Sequence, residues 1–113
     1  MQTGWLLRDG EVLAAADLAE TFWDRNRGLV GRSTYDGAMI LSHTRAVHSF
    51  AMRFPLDVAF VDADLVVLAL VRLPEWRLAL PRRRGRSIVE SAAGSFDRWG
   101  LRLGDALEFR AAG

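Results

Sequence analysis

Seven side chains could do chemistry if the fold gathers them: His48, Asp57 and Glu90 as proton carriers, Arg27, Arg32 and Arg53 as anion holders, and Met52 as a soft apolar contact. Asp57 and Glu90 lie among apolar neighbours, in Leu56-Asp57-Val58 and Val89-Glu90-Ser91. A carboxylate buried there needs a partner, and a guanidinium can pair both of its oxygens. The bland outcome is an internal ion pair that orients a helix against a sheet. The functional outcome is an Arg-lined pocket left partly open, suited to a small polar or anionic ligand or to a partner segment. His48 shares a strand face with Phe50 and Met52 by the two-residue alternation. Imidazole titrates near neutrality, so with Asp57 or Glu90 it would form an acid–base pair for a sugar-like or carboxylated substrate. His43 adds a second imidazole, but two histidines without a third ligand do not make a zinc site, and no metal or cofactor is expected.

The segment that must hold these groups runs from Val47 to Asp62. Its two ends read as strand, while Arg53-Phe54-Pro55-Leu56-Asp57 interrupts them with residues that strands disfavour, so the chain bends there. Around it, Asp9-Gly10 between apolar runs is a two-residue hairpin turn. Thr21 is a plausible N-cap for a short helix near 22–30 that ends by Gly31. Ala38-Met39-Ile40-Leu41 reads as a short buried strand with Val47 to Ala51 as its neighbour. Asp57 to Asp62 and Leu65 to Leu73 form a second hairpin about Ala63-Asp64, and its return arm, apolar on both faces, is expected to be central. Ser87 to Ala92 is another strand, Gly94 to Gly100 is room for a helical turn near 95–99, and Ala106 to Arg110 alternates like an edge strand. The pattern predicts a mainly β (α+β) fold, a compact sandwich or barrel-like sheet with one inserted helix.

The chain has 113 residues, half of them hydrophobic, which suits one domain over 1–113 with an ordinary core. Its 15 basic residues, all arginine, face 14 acidic ones, and a net charge of +1 gives no global field for nucleic acid or a membrane. Zero cysteines exclude disulfides, thiolate metal sites and cysteine nucleophiles. Met1-Gln2-Thr3-Gly4-Trp5 has no basic region followed by an apolar one, so a cytoplasmic location is expected. The longest uncharged apolar run, Leu65 to Val71, is too short to span a bilayer. Arg82-Arg83-Arg84-Gly85-Arg86 forms an exposed basic loop. It supports a third reading, an interaction protein using residues 82–86, although the lack of interleaved aromatics argues against nucleic acid. Ser49 and Ser91 sit in no Gly-x-Ser-x-Gly elbow, and no phosphate-binding glycine loop is present.

Arg27-Gly28-Leu29-Val30-Gly31-Arg32, the Ala38 to Leu41 strand, Val47 to Asp62 with its Met-Arg-Phe-Pro-Leu-Asp centre, Val89-Glu90 followed by Ala93-Gly94, and Leu103-Gly104-Asp105 occur in that order. In this combination the chain resembles the domain of unknown function 192 family from about Thr21 onward. The resemblance implies a compact, mostly β domain of about this length, and it carries no established activity, substrate or cofactor.

Overall fold

A computed structural model describes residues 1–21, 36–49 and 54–113. Strands β1 (Gln2–Arg8) and β2 (Glu11–Ala19) close on Asp9 and Gly10, whose φ angles of 53° and 78° are both left-handed. That is the tight turn whose twist matches its flanking strands, and glycine takes the second position without steric cost. Then follow β3 (Ala38–Leu41), β4 (Val47–His48), β5 (Leu56–Val61), β6 (Val67–Leu73), β7 (Leu78–Ala79), β8 (Ser87–Ala92), helix α1 (Ser95–Trp99) and β9 (Leu107–Ala111). Among the described residues, seven strands make one sheet in the order β6-β5-β8-β3-β2-β1-β9, and β4 pairs with β7 in a separate ribbon. The sheet is mixed, because β2 and β3 run parallel while its other neighbours are antiparallel. A mostly strand chain is thus what forms. The helical turn expected near 95–99 is α1, between Gly94 and Gly100 at φ 98° and 62°. The helix expected near 22–30 lies outside the described residues.

Two strand placements differ from expectation. The neighbours of β3 are β2 and β8, and β4 does not join it. All four residues of β3 are buried, so it needs an apolar strand on each side, and the six-residue β8 supplies more cover than the two-residue β4. The return arm of the second hairpin, β6, is an edge strand, whereas β5 is interior with all six residues buried. Ala69 and Val71 pack against one core cluster and Leu70 against the other, so β6 is apolar on both faces. Among the described residues it lacks a hydrogen-bonded neighbour strand on one side, and hydropathy does not register that.

Pleat alternation divides the core in two. One face carries Met39, Leu41, Val58, Phe60 and Ile88, with Ala79 of β7 packed on them, so the β4–β7 ribbon covers this face. The other carries Ile40, Ala59, Val61 and Val89 with Phe96 and Leu101, so α1 covers that one. Each large apolar side chain so buried contributes about 1.5–3 kcal/mol. The sheet's two edges meet at one corner, where Val67 N donates to Asp105 O (2.9 Å), Gly104 N to Val67 O (2.9 Å) and Leu107 N to Leu65 O (3.0 Å). Beyond that corner the sheet stays open, and α1 with Leu101 packs over the α1 face beside β6.

Candidate functional site

Asp57 pairs with Ser91 across β5–β8 and with Arg72 across β5–β6, which sets all three on the α1 face. It is 4% exposed. Oδ2 accepts hydrogen bonds from Gly94 N (2.9 Å) and Phe96 N (3.1 Å), and Oδ1 accepts one from Arg72 Nε (3.1 Å). The first N–H groups of a helix have no intrahelical acceptor, and Gly94 at the N-cap has no side chain to offer. Asp57 therefore caps α1 from a neighbouring strand. The hydrogen bond from Arg72 to Asp57, and then the Asp57 charge, raise the guanidinium's pKa further above its ordinary value. Its Nη2 also lies 3.6 Å from Asp97 Oδ2, and the Arg72 side chain stays 55% exposed. Asp57, Leu70, Arg72, Phe96, Asp97 and Leu101 line a cleft of about 300 Å³.

Glu90 is 2% exposed and pairs with Met39 on one side and Val58 on the other, so it belongs to the opposite face, under the ribbon. Asp57 and Glu90 sit on adjacent strands one register step apart, and that single step sends them to opposite sides of the sheet. The strand that bears His48 belongs to the ribbon, on the Glu90 side. The structure thus separates Asp57 from Glu90 and leaves β4 with the latter. Arg27, Arg32, Met52 and Arg53 lie outside the described residues. His43 is exposed in the turn after β3 at φ 52°, its backbone N–H donating to Ser87 Oγ (3.3 Å). Among the described residues no group of three or more His, Cys, Asp or Glu could hold a metal ion.

Both serines weighed as nucleophiles are ties. Ser91 Oγ donates to the Gly37 carbonyl and lies 2.8 Å from Ser95 Oγ, which accepts from Arg98 Nη2 (3.1 Å). Ser49 Oγ donates to the Pro74 carbonyl and accepts from Arg77 N (2.8 Å), while Ser49 N donates to Arg77 O (2.8 Å) and Trp76 N to Ser49 O (3.0 Å). A hydroxyl proton committed to a carbonyl fixes loop geometry. Leu70, Arg72, Phe96, Asp97 and Leu101 line the cleft and were missed by sequence reasoning as site residues. With a two-residue turn at Ala63-Asp64, Asp57 would oppose Leu70. Instead Asp62 Oδ1 accepts from Asp64 N (2.8 Å) and Val66 N (2.9 Å), Leu65 adopts φ 62°, and a register shift at Phe60/Val61 brings Arg72 opposite Asp57.

The family model described as "Uncharacterized ACR, COG1430" matches residues 5–109. The chain belongs to the domain of unknown function 192 family. Similar proteins include a UPF0127 protein of Thermococcus sibiricus, 31% identical over 98 residues, covering 81% of this chain and 64% of that protein. Another is a UPF0127 protein of Pyrococcus horikoshii, 30% identical over 97 residues, covering 81% of this chain and 84% of that protein. The chain thus spans less than two thirds of the Thermococcus relative's length. Two crystal structures share the fold. One is a protein of unknown function from Novosphingobium aromaticivorans, with a TM-score of 0.76 and 20% identity over 94% of this chain and 83% of that one. The other, from Sinorhizobium meliloti, is described as a candidate transcription regulator, with a TM-score of 0.78 and 22% identity over 96% and 92% of the two chains. The domain of unknown function 192 fold is therefore what this chain adopts, and among its described residues no helix is long and apolar enough to cross a membrane.

Proposed function

We propose that this domain of unknown function 192 protein is a non-catalytic binding module for a small carboxylate-bearing ligand, held in the cleft between β6 and α1. The observation that carries the reading is the half-exposed guanidinium of Arg72. Asp57 holds it at Nε, while Nη2 faces the exposed Asp97 carboxylate at 3.6 Å, a loose solvent-side pairing that a ligand carboxylate at the cleft mouth displaces. Leu70, Phe96 and Leu101 supply an apolar wall for the rest of the ligand. Phenylacetate, which joins a carboxylate to an apolar ring, is a suitable probe. Titrated into labelled protein, it shifts the amide resonances of Leu70, Arg72, Phe96 and Leu101 in a saturable way, and Arg72→Gln abolishes the shifts. Unchanged spectra at millimolar probe would end the proposal.

A second reading places chemistry on the other face, where Glu90 is almost sealed beneath the ribbon that carries β4. In that reading Arg27, Arg32, His48, Met52 and Arg53 join Glu90 as the lining, and His48 with Glu90 acts as acid and base on a sugar-like or carboxylated substrate. A ligand that binds the native state raises its thermal midpoint. A metabolite-dependent rise lost in His48→Ala supports this site, and a rise lost only in Arg72→Gln supports the cleft. A transcription-regulator role, the description given to the Sinorhizobium structure, draws no support from the basic loop, which has no interleaved aromatics.

A further inference from the structure

The outward side of the β4–β7 ribbon carries an unusual surface. Ala79 packs into the core, so its neighbours along the strand turn away from it, and Trp76, Leu78 and Leu80 are 61%, 54% and 60% exposed. Leu78 and Leu80, on either side of Ala79, continue the exposed apolar stripe that Trp76 begins in the preceding turn. Trp76 stands at the tip of the turn between β6 and β7 at φ 59°, a left-handed position that a bulky residue seldom takes. Ser49 holds that tip through its backbone. Strain of this kind at an exposed tryptophan points to a use beyond folding.

Arginines flank the stripe. Arg77 donates from Nη1 to Trp76 O (3.3 Å), and Arg82 donates from Nη1 to Leu80 O (3.0 Å) while its guanidinium lies 4.8 Å from the Phe60 ring centroid. Gly85 N donates to Arg82 O (2.9 Å), which makes residues 82–85 a turn one residue beyond Leu80, with exposed Arg83 and Arg84 at its corners. From Glu75 to Arg86 there are five arginines and one acid, and the rest of the chain has ten basic residues against thirteen acidic ones. The net charge of +1 conceals this segregation.

We propose that this ribbon docks the protein on an anionic bilayer surface, with Trp76, Leu78 and Leu80 entering the headgroup region and Arg83 and Arg84 pairing with lipid phosphates. A tryptophan and aliphatic side chains projecting from an outer layer suit a soft planar interface, where indole is favoured. Juxtaposed arginines add attraction to acidic lipid. The contact lies on the opposite face of the sheet from the Arg72 cleft and is independent of it.

The test is co-sedimentation with vesicles of phosphatidylcholine alone or mixed with phosphatidylglycerol. The protein sediments with the mixed vesicles, its tryptophan emission shifts to the blue, and added salt weakens both effects. At about fivefold per arginine, replacing Arg83 by Ser and Arg84 by Asn lowers the affinity about thirtyfold. Asn suits Arg84 because that position has φ 66°. Trp76→Ala loses the blue shift and most of the binding. Circular dichroism and thermal midpoints check that both variants fold, and since all three positions are solvent-exposed, each variant tests the idea separately. No sedimentation with the mixed vesicles at low salt overturns the proposal. So does equal binding to both vesicle types, or retention on RNA or polyglutamate that Trp76→Ala leaves intact.

Discussion

At Asp57, one carboxylate accepts hydrogen bonds from two helix N–H groups and a guanidinium while almost wholly buried. Asp57→Ala strands both N–H groups in the interior, and an unsatisfied buried donor costs about 1–3 kcal/mol. Arg72, by contrast, can turn to water. The alanine variant is therefore expected to lose about 2–3 kcal/mol, and Arg72→Gln under about 1 kcal/mol. Urea midpoints of the two variants check the ranking. If Arg72→Gln proved the costlier, the ion pair rather than the cap would be the function of Asp57 in the fold. That Asp57 would be buried and paired could be read from its apolar neighbours. Its partner could not, because the pairing depends on turn length, and Asp62 and Leu65 lengthen the turn beyond Ala63-Asp64. Gly4 is a similar case. A Cβ there would stand 2.2 Å from the Arg110 carbonyl oxygen, so the glycine serves the close approach of β9, yet it reads as an unremarkable residue in an N-terminal strand.

Among the elements, α1 is held at both ends by groups remote in sequence. Its start rests on Asp57, and past its end Arg8 donates to Trp99 O (2.8 Å), Gly100 O (3.0 Å) and Asp105 Oδ2 (3.0 Å). Arg102 N donates to the same Asp105 oxygen (2.8 Å). These bonds hold the Asp105 carboxyl below its ordinary value, the Arg102 N–H first and Arg8 after it, against an opposing push from burial. A carboxyl with a folded-state pKa below its unfolded one stabilises the fold above the unfolded value, about 4, and loses that contribution as pH falls through the folded value. Asp105→Asn should thus lower the thermal midpoint at neutral pH, with the gap to the parent closing as pH falls below the ordinary carboxyl value and through the lowered folded one. A gap that persisted in acid would mean that geometry, not charge, ties this corner. The glycines around α1 were legible because Gly94 and Gly100 bracket an apolar turn. The ties at either end were not, since Arg8 and Asp105 acquire meaning only once β1 lies beside β9.

For the molecule as a whole, local patterns identified most strands but not the order in which they sit. Asp9-Gly10 announced its hairpin, and Leu107 and Phe109 alternating with charged residues announced an edge. The placement of β6 at the opposite edge and of β4 in a ribbon followed from competition for neighbours, which no single segment encodes. The same order sets Asp57 and Glu90 on different faces. Residues that seem to converge on one bend along the chain therefore divide between a helix-covered side and a ribbon-covered side, each with its own candidate surface.

Because β1 lies between β2 and β9, with Ala112 N donating to Thr3 O (3.0 Å), both termini emerge at one corner. A short flexible link could join them, and the ring could be cut elsewhere, at the exposed tip formed by Ala63 and Asp64. Such a rewired chain should fold to the same sheet, seen as an amide spectrum that overlays the parent's away from the two junctions. Anything grafted to either terminus would hang from that one corner.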